Sequence, residues 1–299
     1  METDRGVLLV GGPDMGKTNY LARLWGAAYK FKTGILRADG LPDDLEHLDA
    51  ILGSLISGKF AERTNPNEHW HCEIPLKVEN DGGFRGKLIV PDCPGEEWQQ
   101  IYKKNEWSEI WENRIDGVRG CLCFVRPSSE ELRAPLDWMT CWKLFGTGNV
   151  DIQTVEETPT QVEMVHWIQC LQHAKRARKS QIGKLRVGVV VSAWDALPGN
   201  IRSKTPLKYI EDDFPLLHQF LATNSHACDF ASFGVSIAGG DLKADVDFRK
   251  EYQDGNPFAA GYVIHDLGGS RVESPDHTLP VAWAMGLDPL ATVSQRAGS

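Results

Sequence analysis

The chain is 299 residues long and 41% hydrophobic, with a formal net charge of -9 at pH 7. That apolar content suffices for one large core or two small ones, and the negative balance excludes a broad nucleic-acid or anionic-membrane surface, either of which requires a positive field. Seven scattered cysteines, odd in number and without paired ligand spacing, point to reduced thiols in the cytoplasm rather than to a disulfide framework or a metal cluster.

The amino-terminal apolar run is too short for a signal peptide, and no segment approaches the ~18 apolar residues of a membrane span, so a soluble protein is expected. In chain order, residues 6 to 10 predict a buried strand, followed by a glycine-rich loop and a helix from about Gly16 to Phe31. Leu45, Leu48, Leu52 and Leu55 recur at helical spacing behind Asp43 and Asp44, which predicts an extra helix over 42 to 57. A hairpin follows, with strands at 69 to 79 and 84 to 90 around the turn NDGG. Next come a Trp-rich helical stretch at 96 to 115, a strand at 118 to 125 with Cys121 and Cys123 on one face, and a polar surface segment at 126 to 157. A helix near 158 to 179 leads to the unbroken β-branched run at 184 to 192, the signature of a central parallel strand. A helix near 206 to 223 and a strand at 230 to 237 complete the pattern.

This alternation predicts an α/β class with a mostly parallel sheet covered by helices on both faces. Residues 1 to 240 are expected to form one domain with insertions at about 33 to 58 and 126 to 157. Residues 241 to 299 are expected to be an extension packed on it, holding a strand at 261 to 267, a turn-like stretch and a short helix at 279 to 287.

The chemistry concentrates in four places. GGPDMGKTNY, residues 11 to 20, matches G-x-x-x-x-G-K-[ST] with Gly11, Gly16, Lys17 and Thr18, between a predicted strand and a predicted helix. Glycines let backbone N–H groups turn inward, the helix start adds positive potential, Lys17 reaches β and γ phosphates, and Thr18 is a ligand for Mg²⁺. DCPGEE, residues 92 to 97, sets Asp92 at a strand end in reach of the same Mg²⁺ and Gly95 where its N–H senses a γ phosphate. In VVVSAWD, Asp195 follows a buried strand and can accept the two donors of guanine's N1 and N2 edge. In GVSIAGG, Ser236 and Ile237 follow the last core strand and can offer backbone N–H to the guanine carbonyl.

The order of these sites over roughly residues 5 to 240 resembles P-loop GTPases of the class that includes translation factors and Ras-like switches. More narrowly, the chain is similar to the bacterial double-GTPase group, associated with multi-gene stress or conflict systems. The resemblance implies that Gly11, Asp14, Met15, Gly16, Lys17, Thr18 and Asn19 line the phosphates, and that Asp195, Trp194, Ser236 and Ile237 serve the base. It implies Mg²⁺ on Thr18, Thr64 and Asp92, and catalysis by Lys17, Gly95, Thr64 and Glu96, the last orienting water slowly because its charge faces the phosphates. Thr64 is equally a turn residue before Asn65 and Pro66, and Arg63 beside it is an internal arginine finger or a solvated side chain. Asp14 is either a turn former or a ligand for K⁺.

One departure concerns the base. Where the class has Asn-Lys-x-Asp, this chain has Ser192 and Ala193 before Trp194 and Asp195, so stacking must come from Trp194 or another apolar group, and GTP is preferred to ATP. Expected partners are GTP and GDP, a protein effector or activator, and a paralogous GTPase, with no membrane and no nucleic acid. Trp98, Trp107 and Trp111 in the presumed switch helix are candidates for that interface or for the core. KRARK at 175 to 179 suits a solvated helix end, and His69, His71 and His166 have no assigned role. The alternatives are a nucleotide-dependent scaffold with negligible turnover and an ATP-using P-loop enzyme. A small-molecule kinase is disfavoured because 126 to 157 contains only Arg126 and Arg133 for a lid.

Overall fold

The computed structural model describes residues 5–61, 70–79, 84–92, 101–104, 117–127, 129–133, 158–177, 183–267 and 269–288. The apolar run at the amino end forms β1 (Gly6–Val10), and the glycine loop opens α1 (Lys17–Trp25), which widens into a π-helical turn at Gly26–Lys30. β2 (Leu36–Ala38) and α2 (Leu45–Ile56) follow. Asp44 caps α2 by accepting the backbone N–H of His47, and Leu48, Ile51, Leu52 and Leu55 are its buried face, as the leucine spacing requires.

The hairpin comprises β3 (Trp70–Val78) and β4 (Arg85–Asp92). After it come β5 (Val118–Val125), α3 (Thr160–Ala177) and β6 (Leu185–Ser192), then α4 (Pro206–Asp213) and α5 (Pro215–Thr223). Sequence periodicity predicts one helix over 206 to 223, yet the chain breaks at Phe214, whose φ of -127° and ψ of 53° are not helical. The reason is Pro215: it has no N–H to donate, and its ring pushes the preceding residue out of the α region.

β7 (Cys228–Ser236), α6 (Val246–Asp254), β8 (Tyr262–His265), β9 (Val272–Ser274) and α7 (Leu279–Ala284) end the described chain. β2, α6 and β9 escape the sequence reading.

The nine strands among the described residues form one sheet in the order β2-β3-β4-β1-β5-β6-β7-β8-β9. Its centre, β4-β1-β5-β6-β7, is parallel, and the flanking pairs β2-β3, β3-β4, β7-β8 and β8-β9 are antiparallel. Alternation along β1 sends Val7 and Leu9 to one face and Leu8 and Val10 to the other. The first face packs with α1, α2 and α7, the second with α3, α4 and α5, so both faces are covered. Residues after Asp241 join this same body, since β8 and β9 extend the sheet and α7 lies against β5 and β6. Because the central strands run the same way, the segments after β1, β4, β5, β6 and β7 all emerge at one edge, where open α/β sheets bind ligands. No helix among the described residues is long and apolar enough to cross a membrane.

Candidate nucleotide-binding site

The loop between β1 and α1 makes its turn with two residues in the left-handed region, Asp14 at φ 55° and Gly16 at φ 88°. Glycine is required at 16, since a Cβ there would stand 2.9 Å from Ser192 Oγ. Gly16 is also the N-cap of α1 and brings no side chain to its N–H groups, which leaves them for an anion. Lys17 folds back over the loop, its Nζ donating to Gly11 O and to Gly12 O at 2.7 Å each. Met15 turns its side chain into the core, so this part of the loop is its foundation. Thr18 lies half-buried in the first turn of α1.

Ser192 is the joint of the site. Its buried hydroxyl reaches Met15 O at 2.8 Å and Val125 O at 3.3 Å, tying the end of β6 to the phosphate loop and to the end of β5. A short side chain at this position thus keeps the loop and the base-side strand in fixed relation. Ala193 then adopts φ 50°, and Trp194 dives inward.

Trp194 requires a correction, because it is 0% exposed and cannot stack on a bound base. Its ring meets Tyr209 edge-on at 5.9 Å and presses on Gly234, where a Cβ would stand 2.5 Å from the indole. Asp195 remains half-buried at the surface of this turn. Burial first, and the Asp195 charge second, push the Tyr262 hydroxyl pKa upward, so this carboxylate faces the β8 side of the site.

Ser236 is buried at the end of β7, where its hydroxyl accepts the Gly239 N–H at 2.9 Å and shapes the turn carrying Ile237. Its carbonyl accepts from His277 Nε2 at 3.0 Å. Burial, and then the nearby Arg23 charge, lower the His277 pKa to about 3, so the ring is neutral, with its Nδ1 between Pro275 O at 3.1 Å and Arg23 Nε at 3.4 Å. The base-side turn is therefore braced by residues far along the tail.

Two further contacts bound the loop. Asn19 Oδ1 accepts the Ala61 N–H at 2.8 Å, which anchors the segment before residue 62 to the start of α1. Asp14 Oδ1 accepts from Arg126 Nη1 at 2.7 Å, and its Oδ2 accepts from Ser129 Oγ at 2.9 Å. Of the two readings of Asp14, turn former and K⁺ ligand, the turn at φ 55° is what the loop displays, and the carboxylate is engaged by a guanidinium and a hydroxyl. Asp92 ends β4 opposite Trp70, at the same edge as the loop, while its side chain lies outside the described residues. Thr64, Gly95 and Glu96 also lie outside them, as do Arg63, Trp98, Trp107 and Trp111.

Sequence reasoning missed Arg126 and Ser129, which it assigned to a surface insertion, and the Asp276–Thr278 brace. In that brace Asp276 accepts the N–H of Ile35, and Thr278 Oγ1 that of Leu36, so β2 is held to the tail. The only available signal was PDHT, a polar cluster set before an apolar helix.

A glycine-rich phosphate loop at the end of a central parallel strand, joined by one hydroxyl to the ends of β5 and β6, is the arrangement of a P-loop GTPase. The family model Double-GTPase 1 matches residues 8–284, nearly the whole chain. The protein belongs to that family.

Among solved structures, the Arl6 BBS3 small GTPase from Trypanosoma brucei with bound GppNp is 13% identical, with 83% of this chain and 96% of that chain covered and a TM-score of 0.39. The GDP form of signal recognition particle receptor SRb from Chaetomium thermophilum is 11% identical, covering 82% and 96%, with a TM-score of 0.35. A bacterial selenocysteine-specific elongation factor is 15% identical, covering 84% of this chain and 29% of that one, with a TM-score of 0.33. No curated protein matches the chain.

Family and fold support GTP binding and, in general terms, GTP hydrolysis with Mg²⁺. The residues present suit that ion: Thr18 and Asp92 are hard oxygen donors, and parallel pairing of β4 with β1 brings both to one edge of the sheet.

Proposed function

We propose that this protein is a Mg²⁺-dependent GTP-binding and GTP-hydrolysing switch that regulates a protein partner in a bacterial stress or conflict system. The observation that carries the reading is the Ser192 joint, which fixes the distance between the loop holding Lys17 and the turn holding Asp195. A ligand spanning both needs phosphates at one end and a donor-bearing base at the other. Guanine's N1 and N2 donors match a carboxylate; adenine has no such pair on that edge.

Thr18 and Asp92, with Thr64 in the triphosphate state, would hold Mg²⁺, which neutralises charge on the β and γ oxygens when bound. Lys17 adds its charge to the same oxygens, and Gly95 offers a backbone N–H to the γ phosphate. Glu96 accepts a hydrogen bond from the attacking water and aligns it, at the cost of bringing a negative charge toward a polyanion. Intrinsic cleavage is accordingly slow and is accelerated by a protein activator. Segments 58 to 68 and 95 to 115 change shape with the γ phosphate, and the effector, a paralogous GTPase among the candidates, reads that change.

Two results test this reading. By calorimetry with Mg²⁺, the wild type is expected to bind GTP and GDP and to discriminate against ATP, and Asp195→Asn to weaken guanine nucleotides by about 1–3 kcal/mol through an unmatched donor. Unchanged GTP affinity in the variant would move base recognition elsewhere. In single-turnover assays Glu96→Ala is expected to cleave about tenfold to a thousandfold more slowly than wild type, the range of a lost positioning interaction. Equal rates would leave Glu96 as a helix-end residue.

A further inference from the structure

Asp14 is a carboxylate on the lip of a loop that binds a polyanion, where an uncompensated negative charge opposes the ligand. Its two oxygens are instead engaged by Arg126 Nη1 at 2.7 Å and Ser129 Oγ at 2.9 Å. The side chains of Arg126 and Asp14 are 36% and 45% exposed, and an ion pair this open contributes little to stability. Its placement carries more meaning than its strength.

Arg126 directly follows Val125, the end of β5, whose carbonyl shares the Ser192 hydroxyl with the phosphate loop. The arginine is thus rooted in the same joint as the loop. Its guanidinium also has donors to spare, because Nε is buried and finds no acceptor among the described residues. A triphosphate in the loop would present oxygens with more negative charge than one carboxylate, within a side chain's length of Asp14. Guanidinium geometry matches such oxygens in pairs.

We propose that Arg126 is a catalytic residue: a guanidinium stored on Asp14 at the lip of the phosphate loop that transfers to the oxygens of a bound triphosphate, supplying internally the positive charge that a monovalent cation or a partner's arginine would otherwise bring. The inference rests on the GTPase reading above and adds to it the origin of that charge. In the cleavage step a water oxygen bonds to the γ phosphorus while the bond to the β–γ bridging oxygen breaks, giving GDP and inorganic phosphate, with a water proton ending on the phosphate or in solvent. Arg126 takes no proton; it stabilises the negative charge gathering on the bridging and γ oxygens.

The test compares wild type, Arg126→Ala, Arg126→Lys and Asp14→Asn, with a non-hydrolysable GTP analogue and GDP in calorimetry and with GTP in single-turnover cleavage. Arg126→Ala should slow cleavage by about 10³-fold, the lower end of what an arginine finger contributes. The same variant should weaken the analogue markedly more than GDP, and Arg126→Lys should recover part of both losses. Asp14→Asn should act in the opposite direction and tighten the analogue, since it removes the carboxylate that competes for the guanidinium. A pair that is merely structural would make Arg126→Ala and Asp14→Asn fail alike, and that result overturns the inference. So does wild-type cleavage by Arg126→Ala while wild type binds nucleotide normally, an outcome that leaves the GTPase reading intact. Failure of wild type to bind either nucleotide overturns both.

Discussion

Lys17→Ala is expected to abolish detectable GTP and GDP binding in calorimetry while leaving the thermal midpoint within a few degrees of wild type. Lys17 occupies the first position of α1 and is half-buried, and its Nζ donates to Gly11 O and Gly12 O at 2.7 Å. Alanine is the best helix former, and each lost hydrogen bond costs about 0.5–1.5 kcal/mol of stability, so the folded body tolerates the change. The ligand does not tolerate it. A charge-assisted contact to phosphate in a partly dry cleft is worth more than a neutral hydrogen bond, and every ~1.4 kcal/mol lost is tenfold in affinity. Equal affinity in the two proteins would remove the phosphate-loop assignment altogether.

Arg23→Ala is expected to have the largest effect on stability, about 3–5 kcal/mol by chemical denaturation, because it dismantles a buried charged network. Arg23 is 0% exposed on α1, and burial lowers its pKa to about 10. Its Nη1 and Nη2 donate to Pro257 O at 2.5 Å and Phe258 O at 2.7 Å, and the guanidinium lies 4.7 Å from the centroid of the Phe258 ring. Removal orphans two carbonyls and leaves a cavity, while His277 loses its neighbour. Since His277 also holds Ser236 O, guanine affinity should fall with stability.

The same network predicts a pH dependence. Below pH ~6.5 the unfolded chain protonates His277, which the folded protein refuses until about pH 3, so stability should decline as pH is lowered through that window. A wild-type denaturation midpoint for Arg23→Ala would show that the network is dispensable.

Much of this architecture was legible because its rules are local. β6 reads directly from an unbroken β-branched run, since a strand buried on both faces needs no polar alternation. The phosphate loop is legible because its glycine and lysine spacing is dictated by the ligand's size. β2 and β9 were not legible: each has three residues, and β2 is held by Asp276 and Thr278 from the far end of the chain. α6 has a mostly polar surface and buries chiefly Tyr252, so its apolar signal is weak.

The break at Pro215 was visible in the sequence, but the continuous apolar spacing hid it. In the candidate site, the gathering of Lys17, Thr18, Asp195 and Ser236 at one sheet edge follows from topology alone. The inward turn of Trp194 does not, because it depends on a glycine forty residues later, Gly234, leaving room for the indole. Nor does the Asp14–Arg126 pair, which joins segments 112 residues apart.

Both margins of the nine-stranded sheet end in strands of three residues, Leu36–Ala38 and Val272–Ser274. β9 spans nearly all of β8, whereas β2 covers only Leu76–Val78 of the nine-residue β3, where the next residue, Pro75, has no N–H to offer. The β9 margin therefore offers little for continuing one sheet into a second copy, and at the other margin Pro75 interrupts the row of donors such a continuation would need.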